Sequence, residues 1–204
     1  MLSELQSDHD TSMKGVHVRL IVIISTILLS VQMSFAAPIS YDIDKDASVV
    51  GFTYRFGPEI ITGKFNDYDA DLRIDFDRVK NSTVNVRLDT TRATAGFPFA
   101  TQALRSKKIL NVDNFPNITF QSTSITGDGN TATINGNVTV RGITKPLTLT
   151  AKLFRAVGTT ADERDSLTLK ITGQIDRTEF GATGYAKEVG DILRIAIDAK
   201  IQAQ

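Results

Sequence analysis

From Ser48 onward the chain alternates apolar and polar side chains in one run after another. Val50, Phe52, Tyr54 and Phe56 share a face of the stretch 48–56. Ile61 to Phe65 follow, and then Leu72, Ile74 and Phe76 alternate with Arg73, Asp75 and Asp77. Val84, Val86 and Leu88 alternate with Asn85, Arg87 and Asp89. Beyond a break the pattern resumes over 118–125, 134–140, 143–154, 167–175 and 193–202. A period of two with one apolar face marks antiparallel strands that bury one side. With 61–77 taken as one bent strand, the pattern predicts eight strands.

Turn residues separate these runs. Gly127-Asp-Gly-Asn130 is a hairpin signal, and 77–82 and 158–165 are polar loops. Residues 91–116 do not alternate; Ala103, Leu104 and Lys107 fall at helical spacing and predict one short helix over 100–110, a lid over one end. The loop 178–190, with Gly181, Gly184 and Gly190, is a second candidate for a flexible mouth.

The polar face carries Thr, Lys, Arg and Asp, as a water-exposed surface does. A membrane barrel has the opposite polarity, apolar outside. The sheet therefore either closes into a water-surrounded barrel with its apolar face inward, or splits into a two-layer sandwich; periodicity does not distinguish closure from stacking. In a barrel the inward candidates for a ligand-binding wall are Phe52, Tyr54, Phe56, Leu72, Ile74, Phe120, Ile134, Leu149 and Ile195. The alternative is that these side chains fill the interior themselves.

Ahead of the strands, Lys14 and Arg19 precede an apolar run from Leu20 to Val31, and Ser34-Phe-Ala36 follows it. This is the layout of a secretory signal with cleavage after Ala36, leaving 37–204 as one domain and placing the protein outside the cytoplasm. An uncleaved anchor is the alternative, although the run is shorter than the roughly 20 residues a transmembrane helix needs. Glu4, Asp8 and Asp10 are unusual before such a run, and Met13 is a second candidate start.

Composition narrows the chemistry. Residues 37–204 carry 21 basic and 20 acidic side chains, so charge gives no reason to expect nucleic acid as a partner. The chain has no Cys, and both histidines, His9 and His17, precede the expected cut. That removes thiol chemistry, His-based acid–base catalysis and His-ligated metals from the expected mature protein, so no cofactor is expected. Asp67, Asp69, Asp71, Asp75 and Asp77 fail as a calcium loop, because Leu72 and Arg78 stand where Gly and Glu are required. Asn81, Asn117 and Asn137 begin glycosylation triplets, a weak signal for which no sugar is expected. Asp176-Arg-Thr-Glu-Phe-Gly181 either orients a polar head group or shapes a turn by internal pairing.

Five segments are informative when taken in order: Tyr41-Asp-Ile-Asp44, Gly63-Lys-Phe65, Ala103-Leu-Arg-Ser106 with 112–122, Gly136-Asn-Val-Thr-Val-Arg-Gly-Ile-Thr144, and Ile175 to Gly181. Together they resemble the YceI-like family of bacterial periplasmic polyisoprenoid-binding proteins. The resemblance implies an all-β fold: an eight-stranded antiparallel lipocalin-like barrel with one short helix between strands 3 and 4. It also implies a periplasmic carrier holding an isoprenoid or similar apolar lipid in an elongated tunnel, with no stable membrane insertion once the signal is removed. The chain departs from the family's pattern at Ala47-Ser48, near Arg55 and at Ala100-Thr-Gln-Ala103, where histidine or acidic residues are frequent. An enzyme acting on a lipid and a non-binding stress or interaction barrel are the alternatives. Whether the chain is a monomer or a homodimer is left open by the sequence.

Protein recovered from the periplasm of an expressing bacterium is expected to begin at Ala37. N-terminal sequencing checks this, and a mature chain starting before Leu20 overturns it.

Overall fold

The computed structural model describes residues 37–128 and 130–204; the segment expected to direct export lies outside them. Ten strands are present: β1 (Ile39–Ile43), β2 (Val49–Phe56), β3 (Glu59–Phe65), β4 (Tyr68–Ile74), β5 (Thr83–Asp89), β6 (Asn117–Gly127), β7 (Thr131–Val140), β8 (Ile143–Arg155), β9 (Ser166–Asp176) and β10 (Ile192–Ala203). One helix, α1 (Pro98–Arg105), lies between β5 and β6.

The ten strands form eight staves. β1 and β2 both pair antiparallel with β10, Tyr41 opposite Ala203 and Phe52 opposite Ile195, so they are one stave with a kink at 44–48. Asp44 folds that kink by accepting the Asp46 and Ala47 N–H groups at 3.1 and 3.0 Å. The Ser48 hydroxyl accepts the Lys200 N–H at 2.9 Å and so keeps β10 bonded across the gap. β3 and β4 are likewise one stave, broken at Asn66–Asp67, with β3 on β2 and β4 on β1 and β5. Each later strand pairs with the next, from β5 to β10, and β1 closes the ring by bonding to both β10 and β4. The result is a closed eight-stranded antiparallel barrel; the sandwich alternative is excluded because no edge is left between β1 and β10.

Two expectations change in detail. The helix is shorter than 100–110 and starts earlier. Pro98 supplies the fixed φ of a first helical residue, and the Ser106 hydroxyl donates to the Ala103 carbonyl at 2.7 Å and ends it. Residues 106–110 then turn inward and bury Ile109 and Leu110. The odd spacing from Phe120 to Ile125, both buried, is produced by a β-bulge: Ser122 faces Gly136, Ser124 faces Asn135, and Thr123 is the extra residue.

The two ends differ. At the end that carries the β4–β5, β6–β7 and β8–β9 turns, Tyr41, Leu72, Leu167, Ala199 and Ile201 form a buried plug. The Tyr41 hydroxyl donates to the Arg164 carbonyl at 2.6 Å and draws the β8–β9 loop over it. The β4–β5 turn is built on Asp75, which is 2% exposed. Its carboxylate accepts the Asn81 amide at 2.9 Å and the Asp77 and Arg78 N–H groups at 3.1 and 2.7 Å. These bonds, led by that from Asn81, hold its pKa below the ordinary carboxylate value. A lowered folded-state pKa contributes stability above the unfolded value and loses it as the pH falls through the folded one. Asp75→Asn is expected to destabilise the protein at neutral pH, with the gap to wild type closing below about pH 4. Urea melts at several pH values check this, and a gap that does not narrow in acid contradicts the assignment.

Candidate functional site

The inward alternate positions of the strands enclose a cavity of ≈ 270 Å³. That exceeds the roughly 150 Å³ of apolar cavities that stay dry and admit a benzene-sized guest. The structure places Phe52, Tyr54, Phe56, Leu72, Phe120, Ile134, Leu149 and Ile195 on its wall. Ile74 is not among them. It lies further along β4 and packs into the plug with Tyr41 and Ile201, which corrects its assignment to the wall.

The interior is hollow because three glycines face inward. A Cβ on Gly63 would stand 2.3 Å from Cζ of Phe52, one on Gly136 2.4 Å from Cζ of Phe120, and one on Gly173 2.5 Å from Cδ2 of Leu149. Each large side chain therefore lies flat against a neighbouring strand where a side chain is missing, instead of crossing the interior. All three glycines fall at apolar positions of the alternation, as Gly173 does between Ile171 and Ile175, a pattern that gives their inward parity but not which side chain lies over them.

The wall is almost wholly apolar. Among the lining residues only Tyr54, Tyr68, Tyr185 and Arg177 have polar side-chain atoms. The Tyr54 hydroxyl donates to the Ala95 carbonyl at 3.1 Å. The Tyr68 hydroxyl is buried near Ser48, without a hydrogen bond of ordinary geometry to it. Burial raises the pKa of both phenols, so each stays neutral at physiological pH.

Arg177 settles the reading of the 176–181 motif. A guanidinium has five N–H donors. Here Nε donates to the Gly190 carbonyl at 3.0 Å, one terminal nitrogen to the carbonyls of Ala182 and Gly184, and the other to the Val189 carbonyl and the Asp191 carboxylate. All five are spent within the β9–β10 connection, and only the side-chain stem faces the cavity. Asp176 accepts the Thr178 N–H at 2.9 Å and its hydroxyl as well, and Gly181 turns the chain at φ 69°. The motif shapes a loop, and its Arg177 has no donor left for a head group. The loop 178–190, expected to be flexible, is fastened.

Two further arginines hold the same end. Arg105 Nε donates to the Ala93 carbonyl at 3.0 Å. Arg141 donates to the carbonyls of Lys107 and Ile109 at 2.9 and 2.6 Å. Together they seat α1, whose Phe99, Ala100, Ala103 and Leu104 roof the cavity. β3 rises past the end of β5, and residues 92–96 cover its free edge: Lys64 and Thr94 exchange N–H···O bonds of 2.9 and 2.8 Å.

Three aspartates of the 67–77 run, on the outside of the barrel, are held in ion pairs. Asp69 pairs with Lys45 and Arg87, Asp67 with Lys45 and Arg92, and Asp71 with Arg73. Among the described residues no group of His, Cys, Asp and Glu has the arrangement of a metal site, and no helix is long and apolar enough to cross a membrane.

A sequence profile of the YceI-like domain matches residues 41–201. The Protein YceI of Salmonella arizonae is 35% identical over 122 residues, covering 58% of this chain and 64% of that protein, so the match spans less than two thirds of the relative's length. Among solved structures, BcnA of Burkholderia cenocepacia superposes with a TM-score of 0.70 at 18% identity, over 78% of this chain and 99% of the other. A polyisoprenoid-binding domain from Saccharophagus degradans, implicated in plant cell wall breakdown, superposes with a TM-score of 0.60 at 9% identity, over 81% and 99%. At these identities the superpositions establish a shared fold.

Replacing Arg177 with Met keeps the stem and removes the donors. It is expected to cost about 3 kcal/mol or more, since several buried acceptors lose their partners. Amide exchange should accelerate across 178–191 while β7 and β8 stay protected. Unchanged exchange in that loop would show that Arg177 is not its anchor.

Proposed function

The chain belongs to the YceI-like domain family, and on that premise we propose that it is an exported, non-catalytic carrier of an isoprenoid or similar long-chain apolar lipid. The carrying observation is a hollow barrel whose wall has hydrocarbon surface and almost no polar atoms. Burying each methylene there contributes about 0.8 kcal/mol. A ten-carbon segment would gain on the order of 8 kcal/mol before association and ordering costs. No charged clamp is needed for useful affinity. With Arg177 fully occupied and Tyr54 bonded to backbone, the wall is poor in partners for a polar head group. The cargo's polar end, if it has one, lies at the roofed mouth near α1, and its chain lies inside.

The catalytic alternative lacks support in the cavity. No Asp, Glu, His, Lys, Ser or Thr side chain lines it, and burial keeps the Tyr54 and Tyr68 phenols neutral. General acid–base chemistry needs a group within hydrogen-bond reach of the reacting atom. The likeness in fold to a polyisoprenoid-binding domain supports the choice of ligand class. The apolar run at 20–31 supports export and a periplasmic location.

Organic-solvent extraction of the purified protein, followed by mass spectrometry, is expected to release a stoichiometric apolar chain. Gly173→Ala should reduce that yield, because its Cβ pushes the flexible end of Leu149 into the cavity while the fold survives. Ile134→Trp narrows the same stretch of wall from β7, on the other side of Leu149. A wild-type protein that extracts clean, with variants altered only in melting temperature, would end the carrier proposal.

A further inference from the structure

Two large apolar side chains at the mouth end stand out by their exposure. Phe99, on the first turn of α1, is 62% exposed and also lines the cavity. Ile60, at the start of β3, is 57% exposed. The rings of Phe56 and Phe97 meet edge to face at 5.8 Å and join the β2–β3 turn to the segment that starts α1. The rim formed by these residues is continuous with the cavity wall through Phe99.

Charge is sorted along the same axis. Leaving aside Arg92, which pairs with Asp67 on the flank, the connections at the mouth end, 93–116, 141–142 and 177–191, carry six Lys and Arg against four Asp and Glu. Those at the plugged end, 75–82, 128–130 and 156–165, carry three against six. Lys45, Arg87 and Arg92 on the flank are held by carboxylates, whereas Lys107 and Lys187 stand exposed on the two connections that roof the cavity. Phe154 and Val157 are also exposed, but at the acidic end and away from any opening.

We propose that the mouth rim docks on an anionic lipid surface, with Phe99 and Ile60 entering the head-group boundary and Lys107 and Lys187 meeting the anionic head groups. Apolar insertion combined with basic side chains is the chemistry of reversible surface binding. A soluble protein partner would satisfy the exposed rings equally well. It would not account for cations gathered around the one apolar rim that opens into a lipid-sized cavity. Docking in this orientation sets the cavity mouth against the bilayer, so a chain passes between the two without crossing water. The contact does not depend on what the cavity holds.

The test is flotation of the protein, as recovered from expressing cells, with vesicles of phosphatidylcholine alone or with roughly one third phosphatidylglycerol. Binding is expected to the anionic vesicles and to fall at high salt. Phe99→Ser with Ile60→Ser should weaken it about tenfold or more, and Lys107→Gln and Lys187→Gln about fivefold each. The chain contains no Trp. Ile60→Trp therefore installs a single reporter whose emission should shift blue on the anionic vesicles, while Phe154→Trp at the far end should not shift. Absence of binding, equal binding to neutral vesicles, variants that float like wild type, or a silent Ile60→Trp would each overturn the proposal. None of these outcomes touches the extraction result, so the carrier reading stands or falls separately.

Discussion

Everything in this molecule depends on one short strand. β1 has five residues, and Tyr41 at its centre pairs with Ala203 on one side and Leu72 on the other. That double pairing turns a meander with two free edges into a ring. Once the ring is closed, every second side chain of eight staves is directed into one volume shielded from water. Closure also removes the exposed strand edges that would otherwise invite pairing with other chains. The chain meets this constraint with two kinked staves, β1–β2 and β3–β4, whose breaks are held by side-chain bonds from Asp44 and Ser48 and by the Lys64–Thr94 bridge.

A closed eight-stranded ring does not have to be empty. Barrels of this size are often just filled by their own side chains. Here the interior has two regimes. Near the β4–β5 and β8–β9 turns, Tyr41, Leu167 and Ile201 form one cluster on adjacent strands and are almost completely buried. Further along, Gly63, Gly136 and Gly173 let Phe52, Phe120 and Leu149 fold back against the wall. The large residues supply apolar surface without occupying the axis. The same residue types thus serve as filling in one half and as lining in the other, according to whether a neighbouring strand offers a glycine.

The mouth is governed by hydrogen bonding. Arg105, Arg141 and Arg177 each reach backbone carbonyls of a connecting segment, and Arg177 uses all of its donors in doing so. A buried cation surrounded by carbonyl oxygens rigidifies a loop that has little apolar area of its own. The lysines that remain at this end, Lys107, Lys108 and Lys187, are on the outside. Polar chemistry has been moved to the rim, and the cavity is left to the hydrophobic effect, which is strong but not directional.

The strand faces, the count of eight staves, the outward polarity and the single helical break were legible in the alternation of residues, because side-chain direction in a strand is a local property with period two. The family resemblance was legible in segments such as 136–144 and 175–181, which supply the turns and arginines that hold the mouth. Three things were not legible. Ile74 shares the inward parity of Leu72, yet it faces the plug, since depth along the axis depends on how the staves are staggered. Arg177 could equally have addressed a ligand, and only the position of five acceptors drawn from residues 182–191 assigned it to the loop. The hollow interior came from ring-over-glycine contacts between strands, such as Phe120 on Gly136, which arise from register and not from composition. Closure itself joins Tyr41 to Ala203 across nearly the whole domain. Local pattern makes such a pairing permissible, and only the assembled tertiary structure decides that it occurs.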